Sequence, residues 1–261
     1  QGANPTCQSA RAISMWALND PDYLLHLIVQ AAEAETVLMQ FEGQPISSAD
    51  LPAGLAGFGP IDADPVSVLL VPHLDRIYAE MGRLCAPRGG DPHRWINPEF
   101  HGWWVARECA VAVDVATGKL DDYERFVRRF HESYHPDYNG DRPLIHPQPA
   151  GIAFTDPTGT FIGWHAITIL RAAPGRSGEM RVYFFNPNND SGQDWGNGVR
   201  VTTSGNGERH GEGSLEFEQF LSRLYLFHDQ PHRPERLSEV GADVVERVRA
   251  LAVESWARDR V

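Results

Sequence analysis

Nucleophilic catalysis by a cysteine needs an activated sulfur, a proton carrier and donors for the oxyanion that forms on the substrate. The chain carries residue types suited to each task. Cys7 follows Asn4-Pro5-Thr6, a cap-and-proline pattern that starts a helix. The N–H groups and dipole of a helix N-terminus favour negative sulfur, and Cys7 sits in that first turn. Gln1, six positions earlier, is spaced to set its side-chain amide beside the Cys7 N–H as a pair of oxyanion donors. His165, in GWHAITIL, opens an apolar strand that would anchor an imidazole able to hold a proton and deliver it to a leaving group. Asn186, at the end of RVYFFN, follows one hairpin later and suits the orienting role, with Asn188 and Asp190 as substitutes. Cys85 and Cys109 lack such partners and read as buried thiols.

A second constellation competes with the first. Residues 131–135 read HESYH, a literal HExxH on an expected helix. In that pattern His131 and His135 would ligate zinc while Glu132 activates water, and Asp141 falls where a third ligand can stand. Against it, Pro136 ends the helix directly after the second histidine, and Tyr138 occupies a place where the longer signature needs glycine. Arg128 and Arg129 also precede the motif closely enough to oppose a bound cation. The plain alternative is a polar helix end.

The elements that must position these residues are legible in outline. Helices are expected from Cys7, over residues 23–32, from Pro72 through PHLDRIYAEMGRL, and over KLDDYERFVRRFHESYH. ETVLMQFEG reads as a strand or a short extended piece, and residues 43–65, rich in Gly, Pro, Ala and Asp, as a loop. A second Gly/Pro-rich loop leads into HGWWVARECAVAVDV, an apolar segment of undefined type. After residue 145 the runs IAFTD, TFIGWHAITIL, MRVYFFN and GVRVTT read as strands. SLEFEQFLSRLYLF reads as a short helix passing into a strand, and an amphipathic helix closes the chain.

Composition narrows the partners. With 42% hydrophobic and 22% charged residues over 261 positions, the chain has the means to bury a substantial core. A formal charge of −12 argues against nucleic acid or an anionic membrane as the main partner. There is no apolar run of membrane-spanning length, and the opening residues lack a signal-peptide pattern. Three cysteines without CxxC spacing indicate neither a disulfide framework nor a four-thiolate zinc site. A free thiol suits a reducing compartment, the cytoplasm or, for a delivered effector, a host cytosol. Lys119 is the single lysine, which fits either a GC-rich genome or a bacterial toxin or effector that avoids lysine modification.

The site residues carry a family resemblance. The Gln-x5-Cys block, LNDPDYLLHLIV, VPHLDRIYAEM, GWHAITI, FNPNN and GEGSLEFEQFLSRL resemble papain-like cysteine peptidases, closest to the calpain catalytic core. The resemblance covers residues 1–32, 72–82 and 161–225. It implies an α+β, two-lobed fold with the active site in the cleft: a helical lobe over residues 1–145 carrying Cys7, and a β-rich lobe over 146–261 carrying His165 and Asn186. It implies an endopeptidase acting on protein or peptide substrates, with no cofactor needed for the chemistry and calcium regulation as a family property. Two departures stand out. Gln8 replaces the tryptophan that usually follows the nucleophile, and the tryptophan that usually follows the asparagine is absent until Trp195. That tryptophan shields the His–Asn bond in the family, so Trp195 must fold back or leave the site wetter. Three other readings stay open: a cysteine-dependent glutamine deamidase or transglutaminase, a zinc peptidase through His131 and His135, and an inactive peptidase-like binding module. Because Gln1 would otherwise dangle, a natural precursor extending N-terminally of it is expected.

Overall fold

The computed structural model describes residues 5–54, 64–114, 117–188, 193–229 and 240–258. By internal contacts the chain divides into two units, residues 1–105 and 106–261. The division falls well before the boundary near residue 145 that composition suggested. The reason is the HESYH helix, whose Phe126, Val127, Phe130 and Tyr134 belong to the core of the β-rich unit.

In the first unit, α1 (Cys7–Asn19) and α2 (Pro21–Ala34) are separated by Asp20, whose carboxylate accepts from Tyr23 N at 3.1 Å while Pro21 opens the second helix. Residues 43–65 are not all loop. β1 (Leu38–Phe41) and β2 (Gln44–Ser47) form an antiparallel hairpin turned by Glu42 and Gly43, both at positive φ. α3 (Pro65–Cys85) starts a full two turns before Pro72. Asp64 caps it, accepting from Val66 N at 2.9 Å and Ser67 N at 3.0 Å. Leu70, Leu74, Ile77 and Met81 then carry one buried stripe straight past the interior proline. That stripe outweighs the backbone bond Pro72 cannot make. α4 (His93–His101), inside the expected Gly/Pro-rich loop, packs Ile96 and Phe100 into the same core as Met15, Trp16 and Leu27.

The second unit is built on one antiparallel sheet. Its strands are β3 (Glu108–Val111), β4 (Gln148–Thr155), β5 (Phe161–Pro174), β6 (Met180–Phe185), β7 (Gly213–Glu216) and β8 (Leu224–Asp229), in the order β3-β8-β4-β5-β6-β7. The helices of this unit are α5 (Tyr123–Tyr134), α6 (Pro136–Asn139), α7 (Phe217–Leu221) and α8 (Ala242–Val253). Phe130 stacks near Tyr134, Phe217 and Phe227, and Trp195 sits against Phe154 and Phe184. GVRVTT does not form a strand. It makes only the bridges Asp194↔Arg200 and Thr202↔Ser214, because Gly196 and Gly198 turn the backbone through positive φ. The architecture is α+β, with helices and an antiparallel sheet.

Candidate active site

His165 lies on β5, opposite Ile152 of β4, inside the sheet and not at its edge. Farther along β5, Thr168 pairs with Phe185, the last residue of β6. Asn186, the next residue, therefore emerges beside His165. Its Oδ1 lies 2.7 Å from His165 Nε2, and only 4% of the residue is exposed. An amide oxygen only accepts, so this contact fixes the Nε2–H tautomer and makes Nδ1 the basic nitrogen of the ring.

Asn186 is itself held. Its Oδ1 also accepts from Asn188 N at 3.0 Å, and its Nδ2 donates to Gln193 Oε1 at 3.2 Å. Asn188 thus supports Asn186 through its backbone and does not replace it. Asp190 and Gln1 lie outside the described residues. The Trp195 indole N–H donates to the same Gln193 oxygen at 3.2 Å. Trp195 is fully buried, and its ring reaches Phe154, which in turn lies 5.8 Å from the His165 ring. Gln193 thus links Trp195 to the His165–Asn186 pair.

The carbonyl of Trp195 is fastened from below. Thr155 and the buried Arg223 both donate to it, and Arg223 also donates to the Thr155 hydroxyl. Burial of this guanidinium lowers its pKa to about 10. Gly196 allows the turn that follows. At φ +78° a Cβ there would lie 2.2 Å from the backbone N of Gly159. Sequence reasoning missed Gln193 and Arg223. The available signal for Gln193 was its place two residues before Trp195, which sets both side chains on one side of an extended segment.

Cys7 begins α1, is half-buried and is not in a disulfide. Thr6 occupies the cap position, though its hydroxyl makes no capping bond. One turn on, the buried Arg11 donates to Gln8 Oε1, to Asn97 Oδ1 at 2.9 Å and toward His101 Nε2 at 2.9 Å. Gln8, where the resemblance calls for tryptophan, is therefore anchored to the α4 side of this core. Cys85 and Cys109 are buried, and burial pushes the Cys85 thiol up.

The side chains of the HESYH segment are largely engaged with other partners. His131 is 3% exposed, its Nδ1 is 3.0 Å from Val127 O, and burial lowers its pKa to about 4. The helix stops at Tyr134, and His135 turns its Nδ1 to accept from Asp137 N at 3.2 Å. Glu132 is buried, whereas Asp141 is exposed beside Asn139 and Arg142, in a different depression from the two imidazoles. Arg129 is engaged with Asp229, and Arg128 with Glu124. Among the described residues no group of three or more His, Cys, Asp or Glu side chains is arranged to hold a metal ion. Comparison of the chain with protein-family models, curated proteins and solved structures gives no match.

Proposed function

We propose that this chain is a cysteine endopeptidase of the papain-like, calpain-core type, two-lobed as that family is. The observation that carries the reading is the part-buried 2.7 Å contact between His165 Nε2 and Asn186 Oδ1, held by Gln193 and backed by Trp195. A histidine kept in one tautomer with a defined basic nitrogen is what a cysteine nucleophile requires. In this reading Cys7 passes its thiol proton to His165 Nδ1, its sulfur attacks a peptide carbonyl, and the S–C bond forms as the carbonyl π pair moves to oxygen. The oxyanion is met by the Cys7 N–H and the Gln1 amide. Protonated His165 then gives its proton to the leaving amine as the C–N bond breaks, leaving a thioester. Water attacks the thioester, His165 takes a proton from it, and the C–S bond breaks to release the acid and restore Cys7.

Two measurements test this. Labelled casein should be cleaved by the wild type and not by Cys7→Ala. Iodoacetamide should abolish the activity, and 1,10-phenanthroline, which takes zinc and leaves calcium, should leave it unchanged. Loss with 1,10-phenanthroline but not with iodoacetamide would transfer the chemistry to a metal, and a one-dalton gain on an intact substrate would make the enzyme a deamidase. Separately, 1,3-dibromoacetone should bridge Cys7 to His165 in a single chain. Alkylation confined to Cys7 would refute their joint action.

A further inference from the structure

The HESYH histidines line a cleft of about 310 Å³ in the second unit that the peptidase reading does not use. Its walls come from α5 and α6, from the start of β6, from the β7–α7 junction and from α8. The aromatic part is compact. Phe217 lies 4.9 Å from the His131 ring and 4.8 Å from the His135 ring, and Tyr138 lies 5.4 Å and 5.2 Å from the same two rings. The charged part is acidic, with Asp137, Glu179, Glu216 and Glu218 facing one arginine, Arg247.

The hydrogen-bonding inventory of this cleft is rich in acceptors. His131 is almost wholly buried yet lines the cleft, and its Nδ1 is spent on Val127 O. Its Nε2 points away from the helix with a lone pair, and no described residue bonds to it. The four carboxylates also only accept. Glu218 is satisfied by Arg247 at 2.8 and 3.2 Å, which shows a guanidinium lodging against this wall. Glu179 takes a contact from Arg181 at 3.3 Å, and Asp137 lies 3.9 Å from His135 Nδ1. Glu216 is exposed at the rim. A metal ion fits poorly, because the His135 Nδ1 lone pair is committed to Asp137 N and its Nε2 therefore carries the proton. A positively charged group with several N–H donors matches the acceptors, and aromatic walls favour it further. The volume is at the lower end of ligand sites, roughly 300 Å³ upward, and suits one side chain or a short amine.

We propose that this cleft binds an alkylammonium or guanidinium cation, supplied by a basic side chain of another protein or by a free aliphatic amine. His131 Nε2 accepts one N–H of the cation, Glu216 supplies the counter-charge, and Phe217 and Tyr138 wall its carbon stem.

The test uses the full chain with labelled histidine side chains, followed by nitrogen–proton NMR at neutral pH. The His131 signals are assigned with His131→Gln. The probes are capped arginine methylamide, capped lysine methylamide, putrescine and, as a neutral isostere, capped citrulline methylamide. A saturable shift of His131 Nε2 is expected with a cationic probe, with citrulline at least about tenfold weaker. Glu216→Gln should weaken the cation about threefold or more, while Glu246→Gln, an exposed change elsewhere on α8, should not. Tighter binding of the capped residues assigns the cleft to a protein side chain, and tighter binding of putrescine assigns it to a free amine. No saturable shift with any cation would overturn the proposal. So would equal binding of citrulline, an unaltered affinity in Glu216→Gln, or tight one-to-one zinc binding that moves both imidazoles.

Discussion

Replacing Asn186 with alanine removes the acceptor that sets the His165 ring, and its surroundings fix the size of the loss. Asn186 is 4% exposed, so water is a poor substitute for the missing oxygen. In the proposed mechanism the ring carries a positive charge, and a hydrogen bond to a charged group contributes about 1.5–3 kcal/mol. At about 1.4 kcal/mol per factor of ten, kcat/KM should fall about 10- to 150-fold. Gln193 acts one step further out, through neutral bonds of 3.2 Å to Asn186 and Trp195. Such bonds contribute about 0.5–1.5 kcal/mol, so Gln193→Ala should lower kcat/KM about 2- to 12-fold. Because Gln193 works through Asn186, the double variant should be no slower than Asn186→Ala alone. The assay is the initial rate of labelled-casein hydrolysis well below KM, with tryptophan emission confirming that each variant is folded. An Asn186→Ala enzyme within about twofold of wild type would refute the reasoning. So would a Gln193→Ala loss of equal factor in both backgrounds, since the two side chains would then act independently.

Three further outcomes follow from the same structure. The His131 pKa of about 4 lies below the ordinary histidine value of about 6.5, so between those values the unfolded chain binds a proton that the native chain refuses. This contribution is complete above about pH 6.5 and fades as pH falls toward 4, removing about 3 kcal/mol. Urea midpoints should therefore drop more steeply with acid in the wild type than in His131→Gln, and equal slopes would contradict it. Gly196→Ala should lower Tm more than Gly43→Ala. Both glycines have φ +78°, but a Cβ meets Gly159 N at 2.2 Å in the first case and nothing within 4 Å in the second. Because Gly196 follows Trp195, its variant should also lose activity to about the extent of Gln193→Ala, and full activity would separate the turn from the site. Arg223→Met should be less damaging than Thr155→Ala to thermal stability, since it removes a buried charge along with its bonds to Thr155 and Trp195. Differential scanning calorimetry on the two variants decides the order.

The sequence was most readable where a local signal and the packing agreed. Val127 and Phe130 repeat on one face of α5, and Pro136 marks its stop, so that helix emerged from pattern alone. The contact between His165 and Asn186 was legible because each stands at a defined place on a strand or just past one. The second strand of the hairpin, Gln44–Ser47, and the helix over His93–His101 were hidden by proline and glycine. Their stability comes from Ile46, Ile96 and Phe100 packing into a distant core, which no local window contains. Pro72 misled for a related reason, since the cap that begins α3 is Asp64, and the buried stripe runs through the proline. Gln193 and Arg223 were invisible because both act on Trp195 or Asn186 through contacts between separate segments.

The position of β8 bears on how the second unit is made. This strand, near the end of the chain, lies between β3 and β4, the first two strands of the sheet to be synthesised. On the ribosome β4, β5 and β6 can pair with their sequence neighbours as they emerge. β3 has to wait for Leu224–Asp229 before it gains a ladder. Pairing over such sequence separation is slow, and an edge left open meanwhile invites other chains. A nascent chain arrested before residue 224 would therefore hold His165 on β5 while β3 and one side of β4 stayed unpaired, making the final strand the step that commits the sheet.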